Sequence, residues 1–420
     1  MTQRNAIPIL GQRASFGAHP LAGTSPDPRS PVRSLYVHVP FCFHKCHYCD
    51  FYSIVDTRDR QEPFVDRLIL ELRALAPFAC EKPLETIFVG GGTPTLLRPD
   101  LWERLLGELA ACFDLSLMGP GPGEFTVECN PETATDELMA VLRHGGVTRI
   151  SLGAQSFDVR HLKTLERWHD PDSVPRAIEL SRGAGITRQS LDLIYAVPGQ
   201  TIDEWDRDLT RALSMGTEHL SCYALTYEPN TAMTVRLKRG EFAPALEDLE
   251  AEMFVQTVAR LREAGLDRYE VSNFARPGAE CRHNLAYWRQ NDWLAAGPSA
   301  SGHVLGWRWK GVARLDSYLS EPVPWPHVTD VEAPDAGRAI VERIMTGLRL
   351  REGLSGREIK AQADSISPGA QSRLDRLTSR LVAEGLLREP LDDHWTLTDE
   401  GFLVADHLVV RFMDALDRPD

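Results

Sequence analysis

The 420-residue chain contains no stretch approaching the roughly 18 consecutive apolar residues of a membrane-spanning helix, so no helical span is expected. Positive charge is in deficit. Against 60 Asp and Glu stand 46 Lys and Arg, a formal net charge of −14, which argues against a general nucleic-acid or anionic-membrane binder. Cysteine is scarce, eight in all, and Cys80, Cys112, Cys129, Cys222 and Cys281 stand singly. That is not a secreted disulfide framework. It points to a reducing compartment, with the cytoplasm as the expected location. The rest is ordinary: 43% hydrophobic and 25% charged residues, in a chain long enough for one large domain and a smaller one.

Residues 1–33 are rich in Pro, Gly and Ser, and their longest apolar run, AIPIL, is too short for a secretory signal; a disordered tail is expected. From Leu35 short β-type runs alternate with helical stretches: LYVHV, TIFVG, FTVEC, RISLGA, SLDLIY, HLSCYAL and RYEVSNF. Between them, PFVDRLILELRALA places Phe64, Leu68, Leu72 and Leu75 on one helical face. LEDLEAEMFVQTVARLREAGL is a second helix, with Gly265 as its stop. Such alternation implies parallel strands joined by helical crossovers. The expected fold is α/β, a partial (β/α)6 barrel over residues 34–275; a doubly wound sheet has the same periodicity. A Trp-, Gly- and Pro-rich segment follows over 276–335. Residues 336–420 read as a mostly helical, winged-helix-like domain, with Leu374, Leu377 and Leu381 in helical register. Its acidic balance favours a protein contact or scaffolding over DNA.

One short stretch breaks the scarcity of cysteine. YVHVPFCFHKCHYCDFYS holds Cys42, Cys46 and Cys49 in the spacing C-x3-C-x2-C. Three thiolates in one loop suit a soft metal centre. Structural zinc takes four closed ligands, whereas an iron–sulfur cube held by three cysteines keeps one iron open to an outside ligand. Buried free thiols or adventitious zinc are the plainer alternatives. Beyond the loop, FVGGGTPT ends the second strand, and three glycines permit close backbone approach. Polar residues recur near later strand ends, the face that carries function in βα barrels: Glu128, Gln155 and Asp192.

The C-x3-C-x2-C loop after a first strand resembles the cluster loop of the radical S-adenosylmethionine (SAM) superfamily, and GGGTPT resembles its HemN-like branch. The resemblance implies a [4Fe-4S] cluster on Cys42, Cys46 and Cys49, with SAM chelating the open iron. It further implies SAM contacts at Gly91, Gly92, Thr93, Glu128, Gln155, Arg167 and Asp192. By the same resemblance Tyr36 lies near the sulfonium and Tyr48 beside the adenine.

Within the branch two patterns differ. The coproporphyrinogen III oxidases carry C-x3-C-x2-C-x-C, whose fourth cysteine would fall at position 51; here that residue is Phe51, as in HemW-like proteins. CRHNLAYWRQNDWLAAG contains His283-Asn284-Leu285-Ala286-Tyr287-Trp288, which resembles the HNxxYW motif of HemW-like proteins. An imidazole among aromatic rings suits an axial haem ligand, so the resemblance implies haem at His283. Cys281 competes as a thiolate ligand, and a hydrogen-bonded packing histidine is the plainer reading of these residues alone. The expectation is a haem chaperone that delivers haem to acceptors such as respiratory enzymes, and the resemblance implies a homodimer. Radical decarboxylation of coproporphyrinogen III is the alternative. No role is assigned to residues 299–335.

Overall fold

The computed structural model describes residues 17–27, 32–79 and 82–417. Most of the expected tail, and Cys80, lie outside the described residues. Six parallel strands lie side by side in chain order: β1 (Ser34–Val39), β2 (Thr86–Gly91), β3 (Glu124–Cys129), β4 (Arg149–Gln155), β5 (Arg188–Tyr195) and β6 (His219–Ala224). A doubly wound sheet reverses its strand order at a switch point. No reversal occurs here, so the winding is that of a barrel left open.

The strands form as they do because each alternates. Val37, Ile87, Val89, Phe125, Val127, Leu191 and Leu193 are fully buried in the shared hydrophobic core. The intervening positions are Tyr36, His38, Phe88, Thr126, Glu128, Ser151, Ser190, Asp192 and Ser221, and they line an interior cavity. Crossover helices cover the apolar face: α1 (Gln61–Leu75), α2 (Pro99–Cys112), α3 (Asp136–His144), α4 (Val159–Thr164), α5 (Ser173–Gly183) and α6 (Ile202–Ser214). Phe64, Leu68, Leu72 and Leu75 of α1 are all buried, as their spacing predicts. After β6 come α7 (Ala232–Lys238) and α8 (Glu247–Glu263), the latter closed by Gly265 at φ +76°.

The chain from Asp267 to Ala296 contributes to both edges of the sheet. The short strands β7 (Asp267–Arg268) and β8 (Asn273–Ala275) are antiparallel, and β8 extends the β6 edge. The helix α9 (Arg282–Trp288) is followed by β9 (Leu294–Ala296), which pairs in parallel with β1. The chain then makes a three-stranded antiparallel sheet, β10 (Ser301–Val304), β11 (Trp307–Gly311) and β12 (Val328–Glu332), with α10 (Leu315–Ser320) inserted. Part of the stretch read as a tail packs here. Gly17 exchanges both backbone hydrogen bonds with Val328 at 3.0 Å, Leu21 is buried, and the His19 ring lies against Trp309 and Trp325. A Pro/Gly-rich composition cannot register a docking that depends on residues 300 positions away.

The C-terminal region is helical: α11 (Ala336–Gly347), α12 (Gly356–Ile366), α13 (Ala370–Ala383), α14 (Asp399–Leu403) and α15 (Ala405–Asp417). A two-stranded ribbon of β13 (Leu354–Ser355) and β14 (His394–Trp395) joins them. It has its own core, including Ile344, Leu374, Leu381, Trp395 and Phe412. Arg268 ties it to the barrel, its guanidinium 3.8 Å from the Phe402 ring centroid and 2.7 Å from the Asp399 carboxylate.

One buried ion pair fixes the underside of the barrel. Glu124 and Arg149 begin β3 and β4, both essentially without solvent exposure, and meet at 3.1 Å. Arg149 also donates to the Ala279 carbonyl at 2.7 Å, while Glu124 accepts from the backbone N–H of Arg282 and His283 at 3.0 and 3.1 Å. The carboxylate thus receives the free donors of the first turn of α9 and pins that helix across the N-terminal ends of the strands. Glu124→Ala would leave the Arg149 charge buried and unpaired. The expected loss is about 3–5 kcal/mol, read as a lower midpoint in chemical denaturation. An unchanged midpoint would contradict the role given to this pair.

Candidate functional site

The cysteine loop leaves β1 and returns onto it: Cys42 N–H donates to the Ile54 carbonyl and Ile54 N–H to that of Pro40, both at 2.8 Å. Cys42, Cys46 and Cys49 are free and half-buried. Thr93 Oγ1 donates to Cys42 Sγ at 3.6 Å, and Arg167 Nη1 approaches Cys46 Sγ at 3.8 Å. Burial raises the Cys42 thiol and pushes that of Cys49 up to about 12. Holding these groups as thiolates therefore takes added positive charge, which a metal centre supplies. Among the described residues only Asp158, His161 and Glu204 bring three potential ligand atoms within 4.8 Å of one another. The all-sulfur donor set of three that Cys42, Cys46 and Cys49 provide fits a cluster of several irons with one left open.

The glycine turn closes the same end of the barrel. Gly91 lies at φ +107°, and a β-carbon there would overlap the His38 ring; one on Gly90 would come within 2.8 Å of the Glu128 carboxyl. The Gly91 N–H donates to Glu128 Oε2 at 2.9 Å, Gly92 N–H to the Val39 carbonyl and Thr93 N–H to that of Phe41. Sequence spacing did not single out His38, yet it shares its strand face with Tyr36. Its Nδ1 meets the Tyr36 hydroxyl at 3.0 Å and its Nε2 the Tyr52 carbonyl at 2.8 Å. Burial holds it neutral, down to about 4.

Of the residues expected to contact SAM, the structure gathers Tyr36, Gly91, Glu128 and Asp192 around one cavity of about 570 Å³. Burial pushes Glu128 up to about 7, with the Asp192 charge adding to the shift, and Asp192 up to about 6. Ser151 donates to Asp192 at 3.2 Å. Tyr48, Gln155 and Arg167 lie to one side. Arg167 donates to the Gly153 carbonyl at 2.9 Å, and Gln155 sits at φ +62° where β4 ends in a bulge. Tyr48 packs with Leu165, Ile194 and Met233. Carboxyls, an amide and a buried guanidinium beside the cysteine loop suit a ligand carrying both positive charge and hydroxyls.

The HNxxYW residues reach the same cavity from below, because α9 is its floor. His283 is fully buried and stacks on Phe88, with ring centroids 5.4 Å apart. Both its nitrogens are taken: Nδ1 meets Thr86 Oγ1 and Nε2 the Tyr287 hydroxyl, each at 2.8 Å. Cys281 is closed as well, its thiol 3.3 Å from Glu124 Oε1 and raised by burial. Neither is open to an iron in this conformation. Phe51 is 61% exposed at the cavity mouth, and Lys310 of β11 lines that mouth with Ser299 and Ser301. Residues 299–311, without a role on sequence grounds, thus supply part of the entrance.

The family model of the radical SAM superfamily matches residues 36–212. The chain is 37% identical over 396 residues to the heme chaperone HemW of Mycobacterium tuberculosis, covering 93% of this chain and 96% of that protein. It is 36% identical to the heme chaperone HemW of Lactococcus lactis, over 90% of this chain and 97% of that protein. Among solved structures, the coproporphyrinogen III oxidase HemN of Escherichia coli, described as a radical SAM enzyme, superposes with a TM-score of 0.77. That match has 22% identity and covers 92% of this chain and 91% of that one. Among the described residues no helix is long and apolar enough to cross a membrane.

The two interior carboxyls carry a pH signature. Their ordinary values are 4.5 and 3.8, and both titrate higher in the folded chain. Between about pH 4 and 7 the folded state therefore holds more protons than the unfolded one, and their contribution to stability falls as pH rises through that window. Combining Glu128→Gln with Asp192→Asn is expected to flatten the decline of the denaturation midpoint between about pH 4 and 7 in the ligand-free protein. A decline that persists unaltered would contradict this assignment.

Proposed function

The chain belongs to the HemW family of radical SAM proteins, and on that footing we propose that it binds haem and delivers it to haem-requiring proteins. The observation that carries the proposal is near-full-length identity above one third to heme chaperones. In this reading Cys42, Cys46 and Cys49 hold a [4Fe-4S] cluster whose open iron SAM chelates. Tyr36, Gly91, Gly92, Thr93, Glu128 and Asp192 hold SAM from the strand ends, with Gln155, Arg167 and Tyr48 beside it. When bound, the cluster and SAM supply one-electron chemistry at a sulfonium. The chain's own part is to hold the two carboxyls ready to ionise against a cation and to keep them out of water. Binding of that cation is expected to tighten as pH rises through about 7, the range in which Glu128 loses its proton.

The acceptors in this reading are haem enzymes such as those of respiration, the location is the cytoplasm, the active form is a homodimer, and nucleic acid is not a partner. The oxidase reading is weaker. It rests on a fold likeness, and Phe51 stands where that branch carries its fourth cysteine.

Haem ligation by His283 requires the Tyr287 hydroxyl to leave Nε2. Titrating the cluster-loaded protein with haemin is expected to give a shifted Soret band saturating at about one equivalent. His283→Ala should alter that band, and Tyr287→Phe, which removes the competing hydroxyl, should tighten binding. A band indifferent to both substitutions would remove His283 as ligand and leave the carrier. Absence of saturable binding, with vinyl-bearing porphyrinogen formed from coproporphyrinogen III, would replace the carrier with the oxidase.

A further inference from the structure

The turn that ends α4 clasps the cysteine loop from one side. His47 N–H donates to the Leu165 carbonyl at 3.3 Å, and the exposed Trp168 ring stacks on His44 with centroids 4.0 Å apart. Glu166 stands at φ +55°, and the residues after it alternate: Arg167 faces the loop, Trp168 the solvent and His169 the interior. Arg167 makes three contacts there. Its Nη2 donates to the Gly153 carbonyl at 2.9 Å, its Nη1 approaches Cys46 Sγ at 3.8 Å, and its Nε donates to His169 Nδ1 at 3.2 Å. A β-carbon on Gly153 would stand 2.9 Å from Nη2, so the guanidinium has no slack on the β4 side.

A guanidinium has donors only, so this hydrogen bond fixes His169 as the tautomer with Nδ1 bare and the proton on Nε2. Burial, with the Arg167 charge adding to it, keeps the ring neutral, down to about 3. The residue type matters. A carboxylate in this place would also accept from Nε but would cancel the arginine's charge, whereas the imidazole orients and cancels nothing. Among the described residues no carboxylate forms an ion pair with Arg167, and its charge is felt as far as Asp192. A positive charge and a donor beside a ligand sulfur stabilise the reduced, more negative form of a cluster. Resting on the cluster reading above, we propose that His169 is a positioning residue. It holds the Arg167 guanidinium against Cys46 with its charge uncancelled, and thereby raises the potential at which the cluster accepts an electron. That electron comes from a reductant, dithionite in the experiment, and no bond is made or broken.

The test is a redox titration of the cluster-loaded full chain with dithionite, followed by electron paramagnetic resonance. Asn and Leu are nearly equal in volume and differ in the acceptor, and Oδ1 of an Asn falls where Nδ1 of the imidazole stood. His169→Leu is expected to lower the midpoint potential and alter the reduced spectrum, while His169→Asn keeps both at their wild-type values. Arg167→Gln should lower the potential at least as far. Adding His169→Leu to it should bring no further shift, because the two residues act as one unit. A midpoint indifferent to His169→Leu overturns the inference. An equal shift, or an equal loss of iron, in the His169→Asn and His169→Leu variants overturns it as well, since that marks a packing role. So does a full His169→Leu shift in the Arg167→Gln background. A wild type that assembles no cluster on its three cysteines overturns the cluster reading itself, and this inference with it.

Discussion

The two-residue period of six parallel strands is the constraint on which everything else in this molecule depends. Successive side chains of a strand point to opposite faces, so one face of each strand can be aliphatic beneath its helices while the other is polar. In β3 that division separates Phe125 and Val127 from Thr126 and Glu128, and in β5 Leu191 and Leu193 from Ser190 and Asp192. An open barrel tolerates polar residues on its inner face because the interior is a chamber and not a packed layer. The cysteine loop and the glycine turn then fall at one end of that chamber by the direction of the strands alone.

Charge inside the chamber follows from this geometry. Glu128 and Asp192 face a cavity instead of water, so burial favours their neutral forms, and the Asp192 charge makes Glu128 harder still to ionise. A site of that kind stores a preference for a cation. The buried pair of Glu124 and Arg149 has the opposite character. Its carboxylate is satisfied by a guanidinium and two backbone donors, and it serves to seat α9. The same residue type therefore faces the chamber at one end of β3 and acts as a fastener at the other, four residues away.

Much of this was legible in the sequence. The strand runs, the helix of Phe64, Leu68, Leu72 and Leu75, and the spacing of Cys42, Cys46 and Cys49 are local patterns, and local patterns survive folding. What escaped is non-local. Nothing near Leu294 announces that it pairs with Leu35, or near Gly17 that it pairs with Val328. His38 carries no local signal of its own; its place becomes evident only against Gly91, which has no room for a side chain beside it. The HNxxYW resemblance implies a ligand at His283, while its neighbours in space, Thr86 and Tyr287, occupy both its nitrogens.

The proposal on which the rest stands is that Cys42, Cys46 and Cys49 hold an iron–sulfur cluster with one iron open to SAM. Iron and sulfide analysis of the anaerobically reconstituted protein, with electron paramagnetic resonance of the reduced state before and after SAM addition, tests it most directly. About four irons and four sulfides per chain are expected, with a spectrum that changes when SAM binds. A single zinc per chain, or a cluster spectrum indifferent to SAM, would contradict it.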